Sequence, residues 1–149
     1  MQIIRLDKDN LYLLDKFLLL AGDSLKTFRY FSKRGTGAVK NHVITLLGME
    51  DDKPVAYGHL DGDGENTWLG MCVAWERRGS GLGKAMLAAL LRFADTNGIG
   101  EIRLTVDEPN VSARKLYEKT GFVIEKTVNK VAYYRRKEPS QETVANEKM

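Results

Sequence analysis

Cysteine and histidine are nearly absent from this sequence, which has one cysteine and two histidines among 149 residues. A single cysteine cannot form an internal disulfide, so nothing indicates an oxidising compartment. One cysteine and two histidines are also too few for a Cys/His zinc site, and we expect no metal. Cys72 lies in an apolar run, where a thiol packs as a small hydrophobic side chain; a nucleophilic role is the alternative.

Long runs of one residue type are also missing. The longest fully apolar run, residues 85–91, is far shorter than the roughly 20 residues that a membrane-spanning helix needs. The net charge is only +3 without a block of lysine and arginine, which permits anionic ligands without indicating nucleic acid. The first residues show no signal-peptide pattern. We therefore expect a soluble cytoplasmic protein without a membrane or nucleic-acid partner, and nothing in the sequence specifies an oligomeric state.

The apolar residues that are present, 43% of the chain, are enough for the core of one domain. Their spacing predicts a strand over residues 2–6, helical segments over 11–21 and 24–34, and strands over 43–49, 55–60 and 68–73. A long amphipathic helix begins near Leu82, and a strand over 101–106 follows it. The apolar face predicted for this helix consists of Leu82, Ala85, Met86, Ala89, Leu90, Phe93 and Ala94.

The last part of the chain adds a helix over residues 110–120 and strands over 122–126 and 128–136. The three strands before the long helix form an antiparallel meander, and strand, helix and strand form a right-handed parallel crossover. The sequence thus predicts an α/β fold with a mixed sheet: the meander, the β-α-β crossover, a C-terminal helix and two final strands. This single domain occupies residues 1–137, and the polar residues 138–149 form a disordered tail.

Three glycines stand close together in residues 77–84, which read RRGSGLGK. The phosphate loop of nucleotide triphosphatases is excluded, because Ala85 replaces its Ser or Thr and Arg78 its first glycine. The dinucleotide pattern G-x-G-x-x-G fails as well. What fits is Arg78-x-x-Gly81-x-Gly83 between a strand and a helix, where free amides and the helix dipole attract an anion such as a pyrophosphate. A plain glycine turn with solvated cations is the alternative.

These residues resemble the GNAT superfamily of N-acetyltransferases, whose signature [RQ]-x-x-G-x-[GA] at a strand–helix junction binds the pyrophosphate of acetyl-CoA. Residues 107–122, DEPNVSARKLYEKTGF, are similar to the stretch N-x-x-A-x-x-x-Y-x-x-x-G-F of many members. The matching positions are Asn110, Ala113, Tyr117, Gly121 and Phe122. The resemblance covers about residues 43–126 and the rest weakly. One departure is Trp75, where many members have proline.

The resemblance implies a GNAT-like fold and direct acetylation of a primary amine by acetyl-CoA, without an acyl-enzyme and without a metal. Main-chain groups of the third meander strand would hold the pantetheine arm and polarise the thioester carbonyl. The residues implied for binding the co-substrate are Met71, Cys72, Val73, Arg78, Gly79, Ser80, Gly81, Leu82, Gly83, Lys84, Asn110 and Ala113. For Asn110 the alternative is a helix N-cap and nothing more.

Tyr117 is the candidate general acid. A phenol with a pKa of about 10 can donate a proton to a thiolate whose thiol has a pKa of about 8.5. On its helical spacing alone, Tyr117 would be a core residue with its hydroxyl at the rim of the core. It is the match to the family motif that favours the catalytic role.

The general base is harder to find, because the strand over residues 68–73 carries no carboxylate. His59 on the preceding strand is the best remaining titratable side chain, and a satisfied structural histidine is the alternative. Asp61, Glu76 and Asp107 are weaker options.

The early segment TFRYFSKR, residues 27–34, mixes aromatic side chains with cations. In the family this region covers the acceptor, so Phe28, Arg29 and Tyr30 are candidate acceptor-binding residues for a flat or anionic amine. Packing of the aromatics beneath a solvated cationic face is the alternative. The acceptor itself stays open between an amino sugar, another small amine, an amino acid and a protein amine. A non-catalytic acyl-CoA-binding module is the alternative to an enzyme.

Overall fold

The computed structural model describes residues 1–137, so the predicted tail 138–149 lies outside the described residues. The strands in this range are β1 (Gln2–Arg5), β2 (His42–Glu50), β3 (Lys53–Gly62), β4 (Thr67–Val73), β5 (Ile102–Asp107), β6 (Val123–Val128) and β7 (Val131–Arg136). The α-helices are α1 (Tyr12–Ala21), α2 (Tyr30–Arg34), α3 (Leu82–Thr96) and α4 (Val111–Lys119). Short 3₁₀ segments cover Gly22–Lys26, Thr36–Asn41 and Trp75–Arg77.

The strands form one sheet in the order β1-β2-β3-β4-β5-β7-β6. Strands β2, β3 and β4 pair antiparallel as a meander, whereas β4 and β5 run parallel and are connected through α3. These two features confirm the predicted meander and crossover. The parallel pair is short, since only Thr67 with Ile102 and Trp68 with Arg103 are in register. Beyond these two pairs the strands separate, and the sheet has an internal gap.

Helix α3 covers one face of the sheet with Leu82, Met86, Leu87, Leu90, Leu91 and Ala94 buried. The predicted face was partly wrong, because Ala85 is exposed while Leu87 and Leu91 are buried. Residues 85–91 are all apolar, so periodicity could not orient the helix in this stretch. Burying a leucine removes more apolar surface from water than burying an alanine, which favours the observed rotation.

Helix α1 covers the opposite face and packs Leu14 and Phe17 against Leu47 and Tyr57 of the sheet. Cys72 belongs to this second cluster and is buried. Burial raises the pKa of the Cys72 thiol to about 12. The thiol is therefore protonated at neutral pH, and it packs as a small hydrophobic side chain.

Two segments differ from their predicted boundaries. The segment over 24–34, predicted as a short helix or a helix-loop, consists of a 3₁₀ turn that ends at Lys26 and the short helix α2, which begins at Tyr30. The final hairpin turns at Asn129 and Lys130, which have φ values of 50° and 64°, so Thr127 lies inside β6 and not between the strands. Two left-handed residues match the twist of a two-residue hairpin, but lysine is an unusual residue for that conformation. None of the helices within residues 1–137 has the length and hydropathy to cross a bilayer.

Candidate active site

A cavity of about 1200 Å³ lies at the gap between β4 and β5. Its lining includes every site residue predicted above except Ser80, namely Phe28, Arg29, Tyr30, His59, Met71, Cys72, Val73, Arg78, Gly79, Gly81, Leu82, Gly83, Lys84, Asn110, Ala113 and Tyr117. Ser80 instead donates its hydroxyl to the Arg77 carbonyl at 2.5 Å, a local bond that serine often makes in turns. Of the weaker options for a base, Asp61 and Asp107 line the cavity, and Glu76 is not among its lining residues.

The glycine loop before α3 is shaped to receive an anion. Gly79 and Gly81 have φ values of 75° and 84°, a left-handed conformation that glycine adopts without strain. Helix α3 begins at Leu82 with neither a side-chain cap nor an acidic residue in its first turn. Its first amides are therefore free to bind a ligand, and the positive end of the helix dipole is not neutralised.

The two arginines of the loop have different surroundings. Arg77 binds Glu50 through two hydrogen bonds of 2.7 and 2.6 Å, so its charge is paired within the fold. Arg78 donates from Nε to the Trp75 carbonyl at 2.8 Å, and its guanidinium carbon lies 3.0 Å from the centre of the Trp75 ring. Trp75, which stands where many family members have proline, therefore orients Arg78 by stacking against its guanidinium group.

The main chain of β4 faces two different neighbours. The N–H of Ala74 donates to Val55 of β3 at 2.8 Å, and antiparallel strands alternate the direction of their main-chain bonds. With the β3–β4 register unbroken, the main chain of Cys72 therefore faces β3, while those of Met71 and Val73 face the gap. Of the three residues whose main-chain groups were predicted to bind the pantetheine arm, Met71 and Val73 can do so and Cys72 cannot, because its main chain is paired with β3. The Val73 carbonyl additionally accepts from the Ser24 hydroxyl at 2.7 Å.

Helix α4 places Tyr117 and Asn110 on the other side of the gap. Tyr117 is 6% exposed and packs against Phe122, and its hydroxyl makes no hydrogen bond to another of the described residues. No fully buried side-chain oxygen in this range lacks a partner, so the Tyr117 hydroxyl is open to the cavity that the residue lines. Burial raises the pKa of Tyr117, so the phenol stays protonated at neutral pH and is a weaker acid than a phenol in water. Asn110 caps α4 by accepting from the N–H of Ala113 at 3.4 Å, which leaves its NH₂ group available to the cavity.

His59 is almost fully buried on β3 at the wall of the cavity. Its Nδ1 lies 2.6 Å from the Tyr57 hydroxyl, and its ring occupies the space above Gly70, where a Cβ would come within 2.5 Å of Nε2. Burial lowers the pKa of His59 to about 3, with further contributions from His42 and Arg34. His59 is therefore neutral at physiological pH and is a weak base.

A hydrogen-bond chain that sequence reasoning missed runs beside His59. The Tyr30 hydroxyl donates to Asp61 at 2.8 Å and lies 2.6 Å from Nε2 of His42, whose Nδ1 lies 2.8 Å from the Thr45 hydroxyl. Because the single phenolic proton goes to Asp61, His42 donates from Nε2 and accepts the Thr45 proton at Nδ1. The pairing of β2 with β3 could have revealed this hydrogen-bond chain, because it places His42 directly opposite Asp61.

The predicted acceptor residues line the cavity next to this chain. Phe28 packs against Tyr57 with 5.5 Å between ring centres, so the aromatic segment both builds the core and lines the cavity. Arg29 makes two hydrogen bonds of 3.0 and 2.9 Å to Asp107 at the end of β5. This ion pair connects the segment before α2 to the far side of the gap.

The sequence matches the model of the acetyltransferase (GNAT) family over residues 10–122. The chain belongs to this family. The match includes the β2–β4 meander, the glycine loop, α3, β5 and α4. The gap in the sheet and the uncapped start of α3 therefore lie within the GNAT part of the chain.

Curated relatives and solved structures agree with this assignment. A mycothiol acetyltransferase from Thermobispora bispora is 45% identical over 82 residues, which are 52% of this chain and 26% of that protein. The chain spans about a quarter of the length of the curated relatives that it matches. The PaiA N-acetyltransferase of Thermoplasma acidophilum, solved with coenzyme A, has a TM-score of 0.73 at 19% identity and covers 91% of this chain and 98% of its own. The GNAT domain of S. lividans PAT reaches 0.78 at 17% identity, covering 91% and 89%. These two structures show the same fold.

Proposed function

We propose that this protein transfers the acetyl group of acetyl-CoA directly to a primary amine. One observation carries the proposal: the same cavity contains two groups of main-chain atoms without partners in the fold, at the start of α3 and along β4. The uncapped N-terminus of α3 suits a pyrophosphate, and the unpaired side of β4 suits an extended arm. Tyr117 lies on the other side of the gap, and its hydroxyl makes no hydrogen bond to another of the described residues.

The donor is held from its charged end to its reactive end. The amides from Gly79 to Gly83 and the cations Arg78 and Lys84 bind the pyrophosphate. The main-chain groups of Met71 and Val73 bond to the pantetheine arm as a neighbouring strand would. A main-chain N–H on this side of β4 stabilises the negative charge that develops on the thioester oxygen.

The transfer itself needs no covalent enzyme intermediate. The neutral amine attacks the thioester carbon and the C–S bond breaks, which forms the amide and releases one proton from the nitrogen to solvent water. The thiolate takes a proton from Tyr117 and leaves as free CoA, and a proton from water then restores the Tyr117 phenol. Cys72 is unsuited as a nucleophile, because its thiol is buried and its pKa is raised to about 12. His59 contacts the amine or its bound water as a neutral hydrogen-bonding group in this proposal.

An acetyl-CoA-binding module without activity is the alternative, and the absence of a carboxylate from β4 favours it. The test is thiol release from acetyl-CoA with a panel of amino sugars, amino acids and lysine peptides. Release above the rate without amine, for at least one acceptor, is the expected result. Binding of CoA without release for any amine would favour the module. A thermal shift with ATP but not with acetyl-CoA would contradict both.

A further inference from the structure

Two cations of α2 reach the acceptor part of the cavity without an acidic partner. Lys33 and Arg34 both line the cavity together with Tyr30, His59 and Asp61. Neither forms an ion pair within residues 1–137. Arg29, on the same segment, is neutralised by its two bonds to Asp107. The free positive charge on this side of the cavity is therefore that of Lys33 and Arg34.

The position of Arg34 is set by an aromatic ring. Its guanidinium carbon lies 4.4 Å from the centre of the Tyr30 ring, a stacking arrangement that holds the side chain over the cavity wall. Its charge also contributes to the lowered pKa of His59 and of His42, after the effect of burial. Arg34 is exposed to solvent at the mouth of the cavity, and its stacking on Tyr30 directs its charge toward the acceptor side.

A carboxylate of opposite sign lies in the same part of the cavity. Asp61 accepts the Tyr30 hydroxyl on Oδ2, and within the described residues its Oδ1 has no hydrogen-bond partner. The chain from Thr45 through His42 and Tyr30 points all its donors toward this carboxylate, which fixes Asp61 and leaves one oxygen for a ligand. The pocket therefore presents separated positive and negative groups.

We infer that the acceptor is a small primary amine that carries an anionic group, either a carboxylate or a phosphate. Lys33 and Arg34 bind the anionic group, and Oδ1 of Asp61 binds the ammonium form of the amine before it loses its proton. A guanidinium matches carboxylate and phosphate oxygens alike, so the cations define the charge of the acceptor and leave the kind of anion to the experiment. The inference rests on the proposed acetyl transfer and narrows its acceptor class.

The experiment compares acceptors with and without an anionic group, and each rate is expressed per concentration of neutral amine, because removing a neighbouring charge also changes the pKa of the amine. Glucosamine 6-phosphate is paired with glucosamine, and phenylalanine with phenylalanine amide, in thiol-release assays with acetyl-CoA. We expect kcat/KM to favour the anionic member of at least one pair by about tenfold, mainly through KM, as one charge-assisted hydrogen bond allows. The pair that responds identifies phosphate or carboxylate. Raising the salt concentration should reduce the preference.

Variants assign the preference to the two cations. Arg34→Met and Lys33→Met should each lower kcat/KM for the anionic acceptor about tenfold more than for the neutral one, and Arg34→Lys should recover part of this difference. Lys40→Met is the matched control, because Lys40 is exposed, has no ion pair in the described range and does not line the cavity. Asp61→Asn should instead weaken both members of a pair equally.

Binding of the four acceptors in the presence of CoA is measured in parallel by thermal shift, so that the inference does not depend on turnover alone. Equal turnover and equal stabilisation by anionic and neutral members would overturn it, as would losses in the Arg34 variant that ignore the acceptor's charge. Thiol release with neutral amines only would refute the anionic acceptor and leave acetyl transfer intact. No thiol release and no difference in stabilisation would count against both.

Discussion

Replacing Tyr117 by phenylalanine separates donor binding from the chemical step. The variant keeps the ring that packs against Phe122 and removes a hydroxyl that has no partner among the described residues. We therefore expect the free energy of unfolding to change by less than about 1 kcal/mol, because no hydrogen bond is broken and no cavity larger than one atom is left. The CoA affinity should also be unchanged, because in the proposed complex the glycine loop, its two cations and the main chain of β4 bind the CoA.

Turnover should fall much further than stability. General acid catalysis contributes typically about 10²- to 10⁴-fold, and a thiolate is a good leaving group, so the lower end applies here. A 10²-fold loss in kcat corresponds to about 2.7 kcal/mol of transition-state stabilisation. Burial keeps the wild-type phenol protonated, so its ionisation should not lower the wild-type rate near neutral pH.

The assay is thiol release at saturating acetyl-CoA with an acceptor that the wild type uses, together with calorimetry for CoA binding. Tyr12→Phe is the control, because Tyr12 is 68% exposed and does not line the cavity. A Tyr117→Phe enzyme that retains more than half of the wild-type kcat would refute the role of Tyr117 as proton donor. A parallel loss of CoA affinity would indicate a structural role instead.

Three further predictions concern the glycine loop and His59. Gly81→Ala and Gly98→Ala each place a side chain at a positive φ, 84° and 71°, in open surroundings, so each should lower the free energy of unfolding by about 1 kcal/mol. Calorimetry should show weaker CoA binding for the Gly81 variant only. Equal CoA affinities would exclude the loop from donor binding. Gly70→Ala puts a Cβ within 2.5 Å of the His59 ring and should lower the free energy of unfolding in urea by roughly 1–3 kcal/mol. In a His59→Ala background this loss should largely disappear, and additive losses in the double variant would contradict the contact. Burial lowers the pKa of His59 from 6.5 to about 3, so the unfolded chain binds more protons between these values and stability should fall as the pH drops through this range, by up to about 1.4 kcal/mol per unit from this group. Urea titrations at several pH values should show this slope in the wild type and a shallower one in His59→Gln; identical slopes would mean that His59 is accessible to protons in the folded state.

The sequence predicted what local patterns encode. Alternating strands with short polar turns specify the meander, and the glycines after Val73 mark a strand–helix junction whatever lies around them. The order of elements then implied a parallel crossover, because such connections are nearly always right-handed and run through a helix. These steps led to the correct fold, whereas the residues that the cavity brings together were implied by the resemblance to the GNAT family.

The remaining features depend on groups that are distant in the chain. The length of the β4–β5 pairing is set by tertiary packing, and it determines that Met71 faces the gap while Cys72 does not. The partner of Arg29 lies 78 residues further along the chain, so no local pattern indicates that its charge is neutralised. The chain from Thr45 to Asp61 joins residues of two strands and a short helix, and only the register brings them together.

The gap between β4 and β5 gives the molecule an open strand edge in the interior of its sheet. Open edges at the rim of a sheet attract other polypeptides and promote aggregation, whereas this one is flanked on both sides by paired strands of the same chain. A narrow, extended ligand can therefore form hydrogen bonds to the free edge of β4, whereas the strand of another polypeptide would not fit between β4 and β5. Occupancy of the gap then joins the two halves of the sheet more firmly, and amide hydrogen exchange at Met71 and Val73 would report that closure directly.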